Sequence, residues 1–456
     1  MNRSPGGSQG VLRLAGPIII AMAILSPAAR GQCVANELTT LTATDAAIFD
    51  YAGKSVSVSG DVAVVGASKD DAGFESGAAY IFRAIAGKWE QEAKLTASDA
   101  AQQDFFGRSV AISGDAVLIG AYADDEAGAS SGSAYVFRFD GRQWIEETKL
   151  TASDASPGDR FGLAVALSND MAVIGAAFNG DGGFYSGSVY VYRFDGAAWV
   201  EEAKLTAADA APNDLFGFSV AVSGDRIVVG TYLDDDLGND AGAAYVYRFD
   251  GRNWNEEAKL VASDAAPFDQ FGFSVAVSDD RVAVGAHLDD DAGSRSGAAY
   301  VFRFDGAEWV EEAKLAASDA AALDQFGVAV SISSDTVVIG ALADDDAGPQ
   351  SGGAYVYRFD GLNWIEQAKL TASDADEEDK FGQSVSVSGD TAVVGAYMNT
   401  TENGQWSGSV YVFNGLSDCN KNGVLDLCDI ADGTSDDDNN NGIPDECELP
   451  TYPVGR

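Results

Sequence analysis

Two short acidic runs near the C-terminus have the residue types and spacing of a cation-binding loop. From Asp418, oxygen-bearing side chains recur at Asn420, Asn422, Asp426 and Asp429, with Gly423 at the sharp turn and the backbone carbonyl of Val424 after it. Carboxylate, amide and carbonyl oxygens in that order are what a hard divalent ion such as calcium requires. A second copy runs through Asp437, Asn439, Asn441, Gly442, Ile443, Asp445 and Glu448. Calcium is therefore the expected cofactor of residues 417–448, with residues 449–456 as a tail. Three cysteines, Cys419, Cys428 and Cys447, lie among these loops and a fourth, Cys33, lies near the start of the chain. Four cysteines imply two disulfides, and three pairings are open.

A different acidic pattern recurs through the rest of the chain. One loop type reads Asp124-Asp125-Glu126, Asp234-Asp235-Asp236, Asp289-Asp290-Asp291 and Asp344-Asp345-Asp346, and decays to Asn179-Gly180-Asp181 and Asn399-Thr400-Thr401 in two copies. These triplets are candidate cation or ligand contacts. A second loop type carries spaced aspartate pairs, such as Asp99 with Asp104 and Asp209 with Asp214. Aspartate accepts backbone N–H bonds in tight turns, so the pairs read as turn residues. His287 is the sole histidine. A Ser-His-Asp triad or a histidine-rich metal site therefore lacks its parts, and carboxylate-only chemistry of the glycosidase type is the one enzymatic reading left open.

The elements that position these loops form a repeat of about 55 residues. The second copy has Phe106-Gly107, an apolar run to Ile112, the turn Ser113-Gly114-Asp115, runs at 117–121 and 133–137, then Asp140-Gly141 and a last run opened by Trp144. Four short runs rich in Val, Ile, Tyr and Phe, separated by Gly and Asp turns, predict four antiparallel strands per copy. Several runs are apolar on both faces, so each sheet must be covered on both sides by its neighbours. The Gly of the Phe-Gly pair recurs seven times, from Gly53 to Gly382. The predicted fold is all-β: a seven-bladed β-propeller over residues 36–416. The seventh copy ends at Phe413 without its fourth run, and residues 36–45 match that run, so an N-terminal strand is expected to close the ring. The tryptophans open the outer strands, where edge packing is the expected role.

The Phe-Gly and Gly-Ala pairs followed by Gly-x-x-Tyr-Val-Phe resemble FG-GAP repeats, the blades of integrin alpha-subunit propellers. The resemblance implies the fold. It does not carry over the calcium loops of integrin-type blades, whose place is taken here by Ser113-Gly114-Asp115 and its equivalents. The C-terminal segment resembles dockerin and thrombospondin type 3 calcium repeats. The short spacing between its loops favours the thrombospondin-like form, and Leu427-Cys428 replaces the hydroxyl pair that many dockerins use for docking.

Arg3 and Arg13 precede an apolar stretch at 14–25, followed by small residues. Residues 1–31 are thus expected to be a cleaved signal peptide, and Gln32 before Cys33 argues against lipid attachment. The destination is extracellular or the cell envelope. With 71 acidic against 28 basic residues, a net charge of -43 disfavours nucleic acid and anionic membranes as partners. No later segment reads as a membrane span. The residues together favour a secreted, monomeric, non-catalytic binding or adhesion propeller whose partner is an extracellular protein or glycan. The rivals are a carbohydrate-active enzyme using rim carboxylates and a structural envelope component.

Overall fold

The computed structural model describes residues 33–70, 75–420, 422, 424–438 and 442–447. The expected signal peptide lies outside them, as do Asn439, Asn441 and Glu448. Seven antiparallel sheets follow one another along the chain. The first blade consists of Ala52–Ser59, Val62–Ala67, Ala78–Ile85 and Lys88–Leu95, hydrogen-bonded in that order. The second strand of each blade is apolar on both faces and almost wholly buried, whereas outer strands such as Trp144–Leu150 alternate between exposed and half-buried. A strand covered on both sides reads as a continuous apolar run, and a strand at the rim alternates.

The core lies between the blades. Each apolar cluster draws on two neighbours: Val64, Ile81 and Leu95 of the first blade pack with Phe106, Ile119 and Tyr135 of the second. The Phe of every Phe-Gly pair is fully buried and meets the Tyr of the third strand edge-on, with centroids 5.4 Å apart for Phe106 and Tyr135. At each seam one glycine touches the next blade's inner strand: Gly132 bridges to Phe161, and Gly408 to Ala52 across the closure.

The closure departs from expectation in its extent. Thr39–Leu41 pairs antiparallel with Ser409–Phe413 and is the outer strand of the seventh blade. The four residues before it do something else. Cys33–Asn36 runs parallel to Trp364–Thr371 and adds a fifth strand to the sixth blade. One N-terminal segment therefore edges two blades, and it leaves the Lys369 side chain only 3% exposed. The disulfides are Cys33–Cys428 and Cys419–Cys447. The first ties this segment to the C-terminal loops. Those loops pack onto the propeller: Leu425 is fully buried, and with Leu427 and Cys428 it joins Tyr411, Phe413 and Leu416 in one cluster.

Deleting residues 33–45 uncovers the edge of Ser409–Phe413 and removes the Cys33–Cys428 link. The expected outcome is a lower melting temperature and self-association visible by light scattering. A monomer with unchanged melting would overturn this account of closure.

Candidate functional site

The loops between second and third strands and the loops between blades emerge on one face. On the fourth blade, Lys259 of the outer strand reaches up between them. Its Nζ lies 2.8 Å from Asp209, 2.8 Å from Asp234 and 2.7 Å from Asp236. The Tyr245 hydroxyl donates to Asp209 at 2.6 Å and to Asp234 at 3.1 Å. The oxygens of these three aspartates lie within 4.8 Å of one another, close enough to share a cation. The cation they share is the chain's own lysine.

The arrangement repeats. Lys149 holds Asp99, Asp124 and Glu126; Lys314 holds Asp264, Asp289 and Asp291; Lys369 holds Asp319, Asp344 and Asp346. The first acid of each triplet is buried and the third is exposed. The middle acid caps its own loop: Asp125, Asp235 and Asp290 accept backbone N–H bonds from Ser130, Asp240 and Arg295. Asp345 is exposed. The triplets proposed from sequence as cation or ligand contacts are thus engaged within the fold. The sequence reading missed the lysine, although the signal was present. The seventh blade has Thr40 where the others have lysine, and it is the one whose triplet is Asn399-Thr400-Thr401. In the third blade, where the triplet is Asn179-Gly180-Asp181, Lys204 is kept and pairs with Asp154 and Asp181.

Burial pushes the first aspartate of each pair up, but hydrogen bonds from lysine and tyrosine outweigh it, so Asp99, Asp154, Asp209, Asp264 and Asp319 sit below the usual carboxylate range. The second aspartate of each pair differs. It is buried and accepts one N–H from three residues back, as Asp214 does from Ala211 at 2.6 Å. Burial, reinforced by neighbouring carboxylates, pushes Asp214, Asp269, Asp324 and Asp379 up to about 6. His287 is buried against Phe273, and burial pulls it down to about 4. The tryptophans stitch blades together at the outer edge: Trp144 Nε1 donates to Glu92, and Trp309 Nε1 to Glu257.

At the C-terminus, four candidate ligands converge. The Asn422 N–H donates to Asp418 Oδ1 and Asn420 Oδ1, both at 3.0 Å. The Asn420 and Asn422 side-chain amides both donate to Asp429 Oδ2, at 3.1 and 2.7 Å. The Val424 N–H donates to Asn422 Oδ1. Asp426 faces elsewhere: it accepts from Ser417 Oγ and the Cys419 N–H, fixing the loop entry where the spacing suggested a ligand. In the second loop the Gly442 N–H donates to Asp437, the Asp438 N–H donates to Asp445, and Ile443 follows Gly442. Among the described residues, a six-residue helix, Asp426–Ala431, and the short turn Asp445–Cys447 accompany the loops.

The fold and its acidic face define a seven-bladed β-propeller with lysine-centred loops. The FG-GAP repeat pattern matches residues 36–82, 89–137, 144–192, 199–247, 254–302, 309–357 and 364–413, and the chain belongs to the FG-GAP repeat family. No curated protein matches it in sequence. A chain in the crystal structure of the mitotic checkpoint complex is 12% identical and superposes with a TM-score of 0.52, over 88% of this chain and 98% of that one. Sqt1 of Saccharomyces cerevisiae is 12% identical with a TM-score of 0.46, over 83% and 86%. At 12% identity the likeness to the first of these is one of fold.

Two outcomes follow from the charge geometry. Lys369→Met strands the buried Asp344 and should cost about 3–5 kcal/mol in denaturant unfolding, most of it recovered by adding Asp344→Asn; a neutral single variant would sink the lysine's role. Asp214 and its three equivalents hold protons up to about pH 6 when folded, but only to about pH 4 when unfolded. Their stabilising contribution is full below the unfolded value and is lost as pH rises through 6. The lysine-held aspartates act oppositely and lose theirs as pH falls below the unfolded value. The unfolding midpoint is therefore expected to peak near about pH 5, and a midpoint that climbs steadily to pH 7.5 would refute the assignment.

Proposed function

We propose that this protein is an extracellular, non-catalytic binding or adhesion module whose propeller engages an extracellular protein or glycan and whose C-terminal loops hold calcium. The carrying observation is the lysine at the centre of each acidic loop. A glycosidase needs two carboxylates free to act as acid and as base or nucleophile. Here Asp209, Asp234, Asp235 and Asp236 are held by lysine, tyrosine and backbone N–H groups. Two disulfides, one joining the N-terminal segment to the C-terminal loops and one within those loops, suit an oxidising compartment.

The donor set at residues 418–429 supports calcium. Asp418, Asn420, Asn422 and Asp429 already face one another, and the two amides now turned toward Asp429 would present oxygen instead when a cation enters. Bound there, calcium would neutralise clustered acids and add its binding energy to the order of the loops. Because Leu425 and Leu427 are anchored in the propeller core, the loops belong to the whole chain, and the whole chain is the object to titrate.

Calorimetric titration of the full chain is expected to reveal calcium binding with Kd on the order of 10⁻⁴ M, as in extracellular modules, weakened by Asp418→Ala and Asp429→Asn while the β-sheet signal persists. No binding at millimolar calcium would overturn the loop assignment. The same protein should be retained on a glycan or extracellular-matrix protein array and should release no product from a polysaccharide panel. Turnover abolished by Asp234→Asn would overturn the non-catalytic reading.

A further inference from the structure

The seven blades are near copies, but one position in each blade is not. The residue after the Phe-Gly glycine opens the inner strand, and all seven of these residues line a single cavity of about 270 Å³ on the propeller axis. The two residues that follow it in that cavity scarcely change: Ser or Ala, then Val in every blade, as in Ser109-Val110 and Ala164-Val165. The variable position divides the ring in two. Gln383, Lys54 and Arg108, from the seventh, first and second blades, form a polar arc. Leu163, Phe218, Phe273 and Val328, from the third to the sixth, form an apolar arc.

Among the described residues no acid pairs with the cations of the polar arc, in a chain of net charge -43. Lys54 Nζ donates to Gln383 Oε1 at 3.2 Å and lies 4.1 Å from the centroid of the Tyr397 ring. Arg108 makes no ion pair or side-chain hydrogen bond among the described residues; its surroundings are Lys54, Tyr122 and Tyr397. Both side chains are half-buried, and the Arg108 charge opposes that of Lys54. Burial draws both below their ordinary pKa, Lys54 to about 7. Elsewhere the same chain surrounds a lysine with three acids, so the lack of an acid here is a local departure from its own pattern.

The apolar arc is aromatic and built in layers. Phe218 and Phe273 lie 5.2 Å apart, Tyr232 packs against both, and His287 backs Phe273 at 4.0 Å. Both phenylalanines remain partly open to the cavity. A few convergent polar groups opposite an aromatic wall is the make-up of a small-molecule site.

We propose that the channel mouth binds a small organic anion, a carboxylate on a compact apolar or aromatic body, with the carboxylate at Lys54 and Arg108 and the body against Phe218 and Phe273. This rests on reading the propeller as a binding module and names the ligand class of its axis. A long polyanion fits less well, because it would have to lie across the exposed acids of the same face, such as Asp236, Asp291 and Asp346, while a small monoanion enters the channel away from them.

The test is calorimetric titration of the full chain with 3-phenylpropionate, 3-phenylpropanamide and 3-phenylpropylamine, which share one body and differ in head-group charge. The acid is expected to bind with a Kd of about 1 mM or tighter, the amide about tenfold more weakly, and the amine not at all. Arg108→Gln and Lys54→Gln should each weaken the acid about tenfold, whereas Phe273→Ala should weaken acid and amide alike. Arg108→Gln removes a charge that opposes Lys54 and should melt no lower than the parent; if it fails to fold, Lys54→Gln carries the comparison. No heat from the acid at about 10 mM, equal binding of acid and amine, or indifference to both polar-arc variants would overturn the site. Array retention without acid binding would overturn this site alone, while polysaccharide turnover would overturn the binding-module reading and leave the titration result standing.

Discussion

The ring depends on how closely the backbones of adjacent blades approach at one glycine. Gly132 has φ +82°, and a Cβ built on it would lie 2.0 Å from the carbonyl oxygen of Phe161 in the next blade. No side chain fits there, and the left-handed backbone favours glycine independently. The contact sets the seam: with the strands this close, the Phe161 N–H reaches the Ser131 carbonyl at 2.9 Å, and the Phe ring is sealed between two sheets. Both pairs that mark the repeat, Phe-Gly and Gly-Ala, follow from the same crowding, since a Cβ on Gly120 would meet the Gly162 carbonyl oxygen at 2.0 Å.

Above each seam, the loops of a strongly acidic chain must lie side by side. A lysine carried on the outer strand makes this possible. It satisfies an acid from the loop joining two blades and acids from its own blade's loop, so that one ammonium cross-links segments far apart in sequence. Burying a carboxylate such as Asp344, 3% exposed, is tolerable only with such a partner. The same geometry argues against a metal at the rim. A divalent ion would have to displace Lys369 and leave its charge buried without a partner.

Most of the fold was legible in the sequence, because the repeat period, the four runs per copy and the missing last strand are all local or periodic signals. The division of the N-terminal segment was not. Thr39–Leu41 matches the outer-strand pattern, but Cys33–Asn36 joins a parallel edge, which needs no turn and leaves no spacing to read. The attachment of the C-terminal loops was hidden for another reason. A handful of apolar residues is too few to suggest a core, but Leu425 and Leu427 need only complete one that the sixth and seventh blades supply. At the acidic rim the residues were identified and their partner was not. Asp209 and Lys259 are 50 positions apart, and the link emerges only when whole repeats are compared and Thr40 is seen to coincide with Asn399.

That comparison also indicates where a repeat protein of this kind can acquire a specific role. Seam glycines, buried Phe and Tyr, and the lysine clusters are each fixed by a contact that every blade must make, so change there costs stability in any copy. The residue after the Phe-Gly glycine makes no contact that all seven blades share: Leu163 packs with Ala177 and Leu215, and Lys54 reaches Gln383. It follows the seam contact, precedes the packed Val, and faces a cavity that all seven blades share. A substitution at this position in one blade alters the cavity and leaves the seam glycine and the packed Val in place. Cations gathered on the blades around Lys54 and Arg108, with aromatic groups opposite, are an asymmetry that seven equal copies have no structural reason to develop. In a chain that holds its rim lysines among acids, two axial cations with no acid partner among the described residues are the feature that folding alone does not explain.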